Sequence, residues 1–176
     1  MTRRAWDNIL RFRRSEEGSL VVEFVILFPL YLAFILCAVE YALVTVKQSM
    51  LERSVDLVVR DIRLGTGSGP THDQIKEAIC EQTLVIDDCS NNLQLEMIRQ
   101  SAFTGVTLPA EPDCTDRSEE AKPVREFTNG PPNELMILRA CAIVDPVFPT
   151  SSMGRALAND DGLIALSATT AFVQEP

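Results

Sequence analysis

The sequence predicts an α+β fold, a long N-terminal helix that starts in a membrane and ends as the spine of a small antiparallel sheet. Three observations predict it. Residues 24–46 form an apolar run broken only by Glu40. Past Lys47, apolar side chains recur at helical spacing (Met50, Leu51, Val55, Val58, Val59, Ile62). Three later segments alternate apolar and polar residues, the two-residue period of half-buried strands.

The apolar run comes first in the chain and sets the topology. Its 23 residues span roughly 35 Å as a helix, enough for a hydrocarbon core of about 30 Å with some tilt. A secretory signal has a shorter apolar region and a small-residue cleavage site behind it, and no such site precedes Lys47. Five arginines (Arg3, Arg4, Arg11, Arg13, Arg14) lie ahead of the run and place the N-terminus in the cytoplasm by the positive-inside rule. The expected layout is a basic leader over residues 1–18, a transmembrane helix over 19–46 and one exported α+β domain over 47–176. No proline or glycine falls between Pro29 and Gly65, so one helix of about 70 Å is expected over residues 19–64, with Pro29 as a kink site.

The domain follows from shorter signals. Residues 65–70 (Gly-Thr-Gly-Ser-Gly-Pro) read as a loop, and Thr71-His72-Asp73-Gln74 as a capping box that starts a helix over 72–82. Strands are expected at about 92–99 (Leu93, Leu95, Met97 inward), 134–144 (Met136, Leu138, Ala140, Ala142, Val144) and 163–173 (Ile164, Leu166, Ala168, Phe172). Residues 105–132 are acidic and proline-bearing, the composition of a long surface loop.

Charge and cysteines narrow the function classes. The chain carries a formal net charge of -9, and from Gln48 onward it has 10 basic and 20 acidic residues. Such a domain offers no electrostatic footprint for nucleic acid. Cys37 lies in the span, where a thiol behaves as a small hydrophobe. The other four, Cys80, Cys89, Cys114 and Cys141, are an even set in an exported domain and predict two disulfides. Three connectivities are open. Cys80–Cys89 with Cys114–Cys141 is favoured, because an Asp87-Asp88 turn brings the first pair together and the second staples the acidic loop to a core strand.

Catalytic equipment is sparse. His72 is the only histidine and there is no Cys-x-x-Cys, so neither a metal nor another cofactor is expected. Gly65-x-Gly67-x-Gly69 lacks the strand and lysine of a phosphate loop. His72, at a helix start, is expected to face solvent. Asp87-Asp88 and Asp160-Asp161 read as turn residues, and residues 111–126 lack the ligand spacing of a calcium loop. Glu40 is expected to reach the membrane interface, with pairing to Lys47 of a neighbouring copy as the alternative. The chain reads as a non-enzyme.

Glu23 is the exception that needs a reason, since a carboxylate in hydrocarbon is costly and usually functional. It lies five residues past Gly18 and directly before Phe24, in the order Arg13-Arg14-x-x-x-Gly18-x-x-x-x-Glu23-Phe24. At these residues the chain resembles the type IV prepilins, and among them the TadE-like minor pseudopilins of tight-adherence (Tad) pilus systems. Asp88-Cys89 and the tail over 162–172 are weaker echoes of the same family. The resemblance implies a pilin-like fold and cleavage by a prepilin peptidase between Gly18 and Ser19. It gives Glu23, beside Phe24, an assembly role, meeting the new N-terminal amine of an adjoining subunit. It also implies partners: the peptidase, other Tad pilins and pseudopilins, the inner-membrane assembly platform and membrane lipid. Residence is then expected in the bacterial inner membrane, with a periplasmic domain and an association with the pilus. Serine at the new N-terminus departs from the bulky aromatic of major pilins. The competing expectation is a single-pass, membrane-anchored periplasmic binding or sensor domain, in which the N-terminus stays uncut and Glu23 is replaceable.

Overall fold

The computed structural model describes residues 19–64, 69–101, 114, 127, 130–131 and 133–175. The leader with Gly18, residues 65–68 and most of the expected acidic loop lie outside the described residues. In chain order the elements are α1 (Ser19–Leu64), α2 (His72–Gln82), α3 (Cys89–Asn92), β1 (Leu93–Gln100), β2 (Leu135–Val144), α4 (Ser152–Leu157) and β3 (Ile164–Val173).

α1 is one helix of 46 residues that runs through Pro29. At about 1.5 Å per residue it is about 69 Å long. Its two halves meet different surroundings. Large apolar side chains from Leu20 to Ile35 are exposed, whereas Leu51, Ser54, Val55, Val58, Val59 and Ile62 are buried. Those buried positions recur three and four apart, so one stripe of the second half faces the core. Glu52, Arg53, Asp56, Arg60 and Asp61 lie on the exposed side.

α2 begins where the capping box predicts. The Gln74 N–H donates to Thr71 Oγ1 at 3.4 Å, and the Thr71 N–H donates to Gln74 Oε1 at 2.9 Å. The box satisfies two of the donors that a helix start leaves open, and it sets Ile75 and Ile79 into the core against α1. At the other end of α2, the Thr83 hydroxyl lies 3.3 Å from Ser54 Oγ of α1, a buried polar contact between the two helices. The chain then turns through Asp88, in the left-handed region at φ 48°, and the Asn91 amide donates to its carboxylate.

The sheet order is β1-β2-β3, antiparallel throughout. Leu95 pairs with Ala140, and Ala140 in turn with Ala168, so small and large residues share a layer across the sheet. The face toward α1 carries Leu93, Leu95, Met97, Met136, Leu138, Ala140, Ala142, Ile164, Leu166, Ala168 and Phe172, which merge with the α1 and α2 stripes into one core. β1 and β3 alternate in burial along most of their length, as a one-sided sheet requires. β2 does not. Ile137, Arg139, Cys141 and Ile143 on its second face are also buried. Cys141 is bonded there to Cys114, and Arg139 pairs with Glu96, its register partner on β1, at 3.6 Å. Both sheet edges are occupied in part. Met97 of β1 forms a parallel bridge with Phe127, and the Gln48 amide of α1 donates to the Ser167 carbonyl of β3 at 2.8 Å. Contacts of this kind blunt an edge against pairing with another chain.

Two disulfides close the domain, Cys80–Cys89 over a separation of 9 residues and Cys114–Cys141 over 27. In the chain-entropy account they contribute about 2.6 and about 3.5 kcal/mol respectively. Replacing Cys114 and Cys141 together by serine should therefore lower stability more than the same change at Cys80 and Cys89, read by urea unfolding in detergent. The α1 stripe gives a second expectation. Leu51→Ala, at a fully buried site, should cost about 2–5 kcal/mol. Leu57→Ala, one face away and 40% exposed, should stay within about 0.5 kcal/mol of the parent in the same assay.

Candidate functional site

From Leu20 to Ile35, α1 is the surface that the fold leaves uncovered. Among the described residues, α1 is one helix long and apolar enough to cross a membrane, and the most apolar window along it is not buried against the rest of the chain. Phe24 stands out from this surface and stacks on Phe28 one turn later, with ring centroids 5.1 Å apart. Glu23 is exposed beside it. From Ser19 to Val46 the helix has no lysine, arginine or histidine. The first cation on α1 is Lys47, about 36 Å along the axis from Glu23. Glu23 is thus a carboxylate on an apolar surface with no cation on its own helix to answer it. Ser19 opens α1, while Gly18 lies outside the described residues.

The second carboxylate of the run, Glu40, has a different fate. Its side chain was expected to reach the membrane interface. Instead it is fully buried, and it accepts the Val147 N–H at 3.0 Å and the Phe148 N–H at 2.7 Å, one on each oxygen. Two consecutive backbone donors aimed at one carboxylate make charge-assisted hydrogen bonds, which offset the loss of its hydration. Nothing near Glu40 in the sequence marks this partner, because Val147 is 107 residues away. The available signal was the general one, that a carboxylate in an apolar run must find donors.

The segment held by Glu40 is built tightly. Pro146 and Pro149 bracket the two donors. Ser151 caps α4 by accepting the Gly154 N–H at 2.9 Å. A Cβ on Gly154 would clash with the Phe148 carbonyl oxygen, so only glycine lets α4 fold back this closely over the loop. α4 packs on α1, where the Cys37 thiol lies 3.3 Å from Ser152 Oγ. Residues 146–157 are thereby fixed beside α1 at the level of Cys37 and Glu40.

The other singled-out residues are dispersed. Cys80, Cys89, Cys114 and Cys141 are all in disulfides, and Cys37 is a free thiol. His72, expected in solvent, is half-buried, edge-on to the Phe127 ring at 5.3 Å and 3.0 Å from Asp73 Oδ1. The aromatic that covers it comes from a distant segment. Asp160 and Asp161 belong to a turn in which the Asn159 side chain accepts the Asp161 and Leu163 N–H groups. Among the described residues no group of three His, Cys, Asp or Glu side chains is placed to hold a metal ion. A cavity of about 250 Å³ between α1 and α2 is lined by Val58, Ile62, Pro70, Ile75 and Ala78, with Asp61 and Gln74 as its polar groups.

Comparison with known proteins adds one match. The family model described as TadE-like protein matches residues 18–60, the stretch that starts at Gly18, contains Glu23, Phe24 and Glu40, and ends within the core stripe of α1. The chain thus carries a TadE-like segment, which associates it with Tad pilus systems. No curated protein and no solved structure matches the chain.

The Glu40 contact yields a specific expectation. Glu40→Ala orphans two backbone donors and should cost about 1–3 kcal/mol. Hydrogen exchange at Val147 and Phe148 should quicken while exchange in β2 and β3 changes little. Glu40→Gln keeps an acceptor and should fall between the two. Unchanged exchange at Val147 and Phe148 in Glu40→Ala would remove the clamp from the account.

Proposed function

We propose that this chain, TadE-like over residues 18–60, is a minor pseudopilin that acts in the biogenesis of a Tad-type pilus and performs no catalysis of its own. The observation that carries the reading is Glu23, an exposed carboxylate on an apolar helix with no cation from Ser19 to Val46. Cleavage of the Gly18–Ser19 amide by a prepilin peptidase supplies the missing cation. It releases an α-amino group at Ser19, whose ordinary pKa of about 7.7–8.0 leaves it largely protonated at neutral pH. In a membrane neither charge is stable alone, and each offsets the desolvation of the other when they meet. The apolar surface around Glu23 and Phe24 packs laterally against the corresponding helices of other pilins and pseudopilins at the inner-membrane assembly platform, so that Glu23 of one subunit meets the amine of the next.

Two features support a cytoplasmic N-terminus and a periplasmic domain. The five leader arginines favour a cytoplasmic N-terminus. The two disulfides suit an oxidising compartment, the periplasm, for the domain. In this reading the domain works in priming or building the pilus and does not form its bulk.

Intact-mass and N-terminal analysis of the protein expressed with and without a Tad-type prepilin peptidase tests the maturation step. A chain that begins at Ser19 only when the peptidase is present is the expected result. A chain that begins at Met1 in both cases overturns the pseudopilin reading. Glu23→Ala separates maturation from assembly. Cleavage should persist, while pilus output should fall at least about tenfold, since breaking a buried ion pair from one side costs several kcal/mol.

A further inference from the structure

We propose that residues 146–157 form a collar that lies in the headgroup layer of the membrane spanned by α1, on the side of the sheet domain. The inference rests on α1 spanning the membrane and goes beyond it, because it assigns a lipid-facing role to a segment far from the helix in sequence. The first support is length. Counted from Leu20, residues 20–39 are 20 residues, about 30 Å of helix, which matches the hydrocarbon core of a bilayer. The burial of Glu40 in the domain ends the span here, short of the boundary at residue 46 expected from the sequence. Glu40 then stands at the boundary of that core, and its hydrogen bonds to Val147 and Phe148 bring the 146–149 loop to the same depth.

The 146–149 tip, where the collar meets α1, also answers the demand that a poorly hydrated layer makes on a backbone, that donors be satisfied within the protein. Pro146 and Pro149 have no N–H. The Val147 and Phe148 N–H groups are bound by Glu40, and those of Ser151, Gly154, Arg155 and Ala158 by Phe148 O, Ser151 Oγ, Ser151 O and Gly154 O. Glu40 thus makes the 146–149 tip a loop with no backbone donor left open. A buried carboxylate at this one level of the helix is what such a tip needs.

Side chains fit the same layer. Val147 is 49% exposed and shares its level with the exposed Val39, Tyr41 and Leu43 of α1. Tyrosine is enriched at membrane interfaces. In a domain with 20 acidic residues, the stretch 146–159 has none, and its one charge is the exposed Arg155. An acid-free segment with a single arginine suits contact with anionic headgroups, whereas the rest of this domain repels them.

The test uses the purified full-length chain in phosphatidylcholine–phosphatidylglycerol vesicles, with Trp6, its one tryptophan, replaced by phenylalanine. Single tryptophans are introduced by Val147→Trp and Ala156→Trp in the collar and Leu27→Trp in the span. Leu84→Trp reports from a site 89% exposed, next to the Thr83–Ser54 contact and about 21 Å along α1 beyond Glu40. The readout is quenching by lipids that carry nitroxides at headgroup or mid-chain depth. The collar predicts mid-chain quenching for Leu27→Trp, and headgroup-level quenching with a blue shift for Val147→Trp and Ala156→Trp. Leu84→Trp should be unquenched by either probe. Adding Arg155→Glu should weaken the Val147→Trp signal severalfold in these vesicles, and less in pure phosphatidylcholine. If Val147→Trp and Ala156→Trp behave like Leu84→Trp while Leu27→Trp is quenched deeply, the collar is wrong and the span survives. If Leu27→Trp is unquenched, the span fails and the collar with it.

Discussion

Glu40 sets the relation between the helix and everything folded onto it. A single helix of 46 residues has to serve two environments, and along α1 the change begins at this residue and is complete at Leu51, about three turns later. Before it, the exposed surface is apolar. After it, a stripe of Leu51, Val55, Val58, Val59 and Ile62 enters the core. The carboxylate fixes the lowest part of the domain to that changeover by two backbone hydrogen bonds rather than by an ion pair. A backbone donor pair fits this position because it is part of a turn and cannot swing away, whereas a lysine or arginine would retain long-chain freedom that the contact must freeze. The stripe and the clamp together determine how the sheet sits on the helix. The stripe fixes which face of α1 is covered, and Glu40 fixes how far down the covering extends.

The domain is small and its core alone is modest, which gives the covalent links their weight. Cys80–Cys89 ties the end of α2 to the start of β1 through α3, so the helix that packs on α1 cannot part from the sheet. Cys114–Cys141 places a second bond on the far face of β2. On that face Ile137, Cys141 and Ile143 are buried around the Arg139–Glu96 pair. The two bonds therefore act on opposite sides of one sheet, one holding the helical layer and the other tying Cys114 to the second face.

Much of this was legible in the residues because the signals are local. The stripe at 51, 55, 58, 59 and 62 reads directly as a helix face, Thr71 with Gln74 reads as a capping box, and the alternation in β1 and β3 reads as strands with one wet side. Four cysteines in a domain expected to be exported read as two bonds. The misses share a cause: each depends on a partner distant in sequence. β2 is buried on both faces, with Cys114 bonded to Cys141 on the second, and its own alternation carries no sign of this. His72 is half-buried by Phe127, which no spacing rule connects to it. Glu40 looked like a residue bound for the interface because its donors lie at Val147 and Phe148. α4 has only six residues, too short for periodicity to reveal, and depends on Gly154 fitting under the Phe148 carbonyl.

The two glutamates of the apolar run pose one physical problem and receive two answers. Each is a carboxylate on a helix surface that otherwise excludes charge, and each needs donors or a cation. The fold provides for Glu40 from within, through the loop after β2. For Glu23 it provides nothing on the same helix, since no cation lies between Ser19 and Lys47 and the contacts of α4 with α1 reach no nearer than Cys37, about 21 Å along the helix. A residue in that position either reaches water at the helix end or is answered by another molecule. The first option would make Glu23 indifferent to its neighbours. The second makes the chain complete as a fold and incomplete as a charge arrangement, which is the condition of a subunit that has to find its place beside another helix. The exposed Phe24 and the apolar surface around it favour the second, because a helix bared from Leu20 to Ile35 has lateral contact as its way to pack within a membrane.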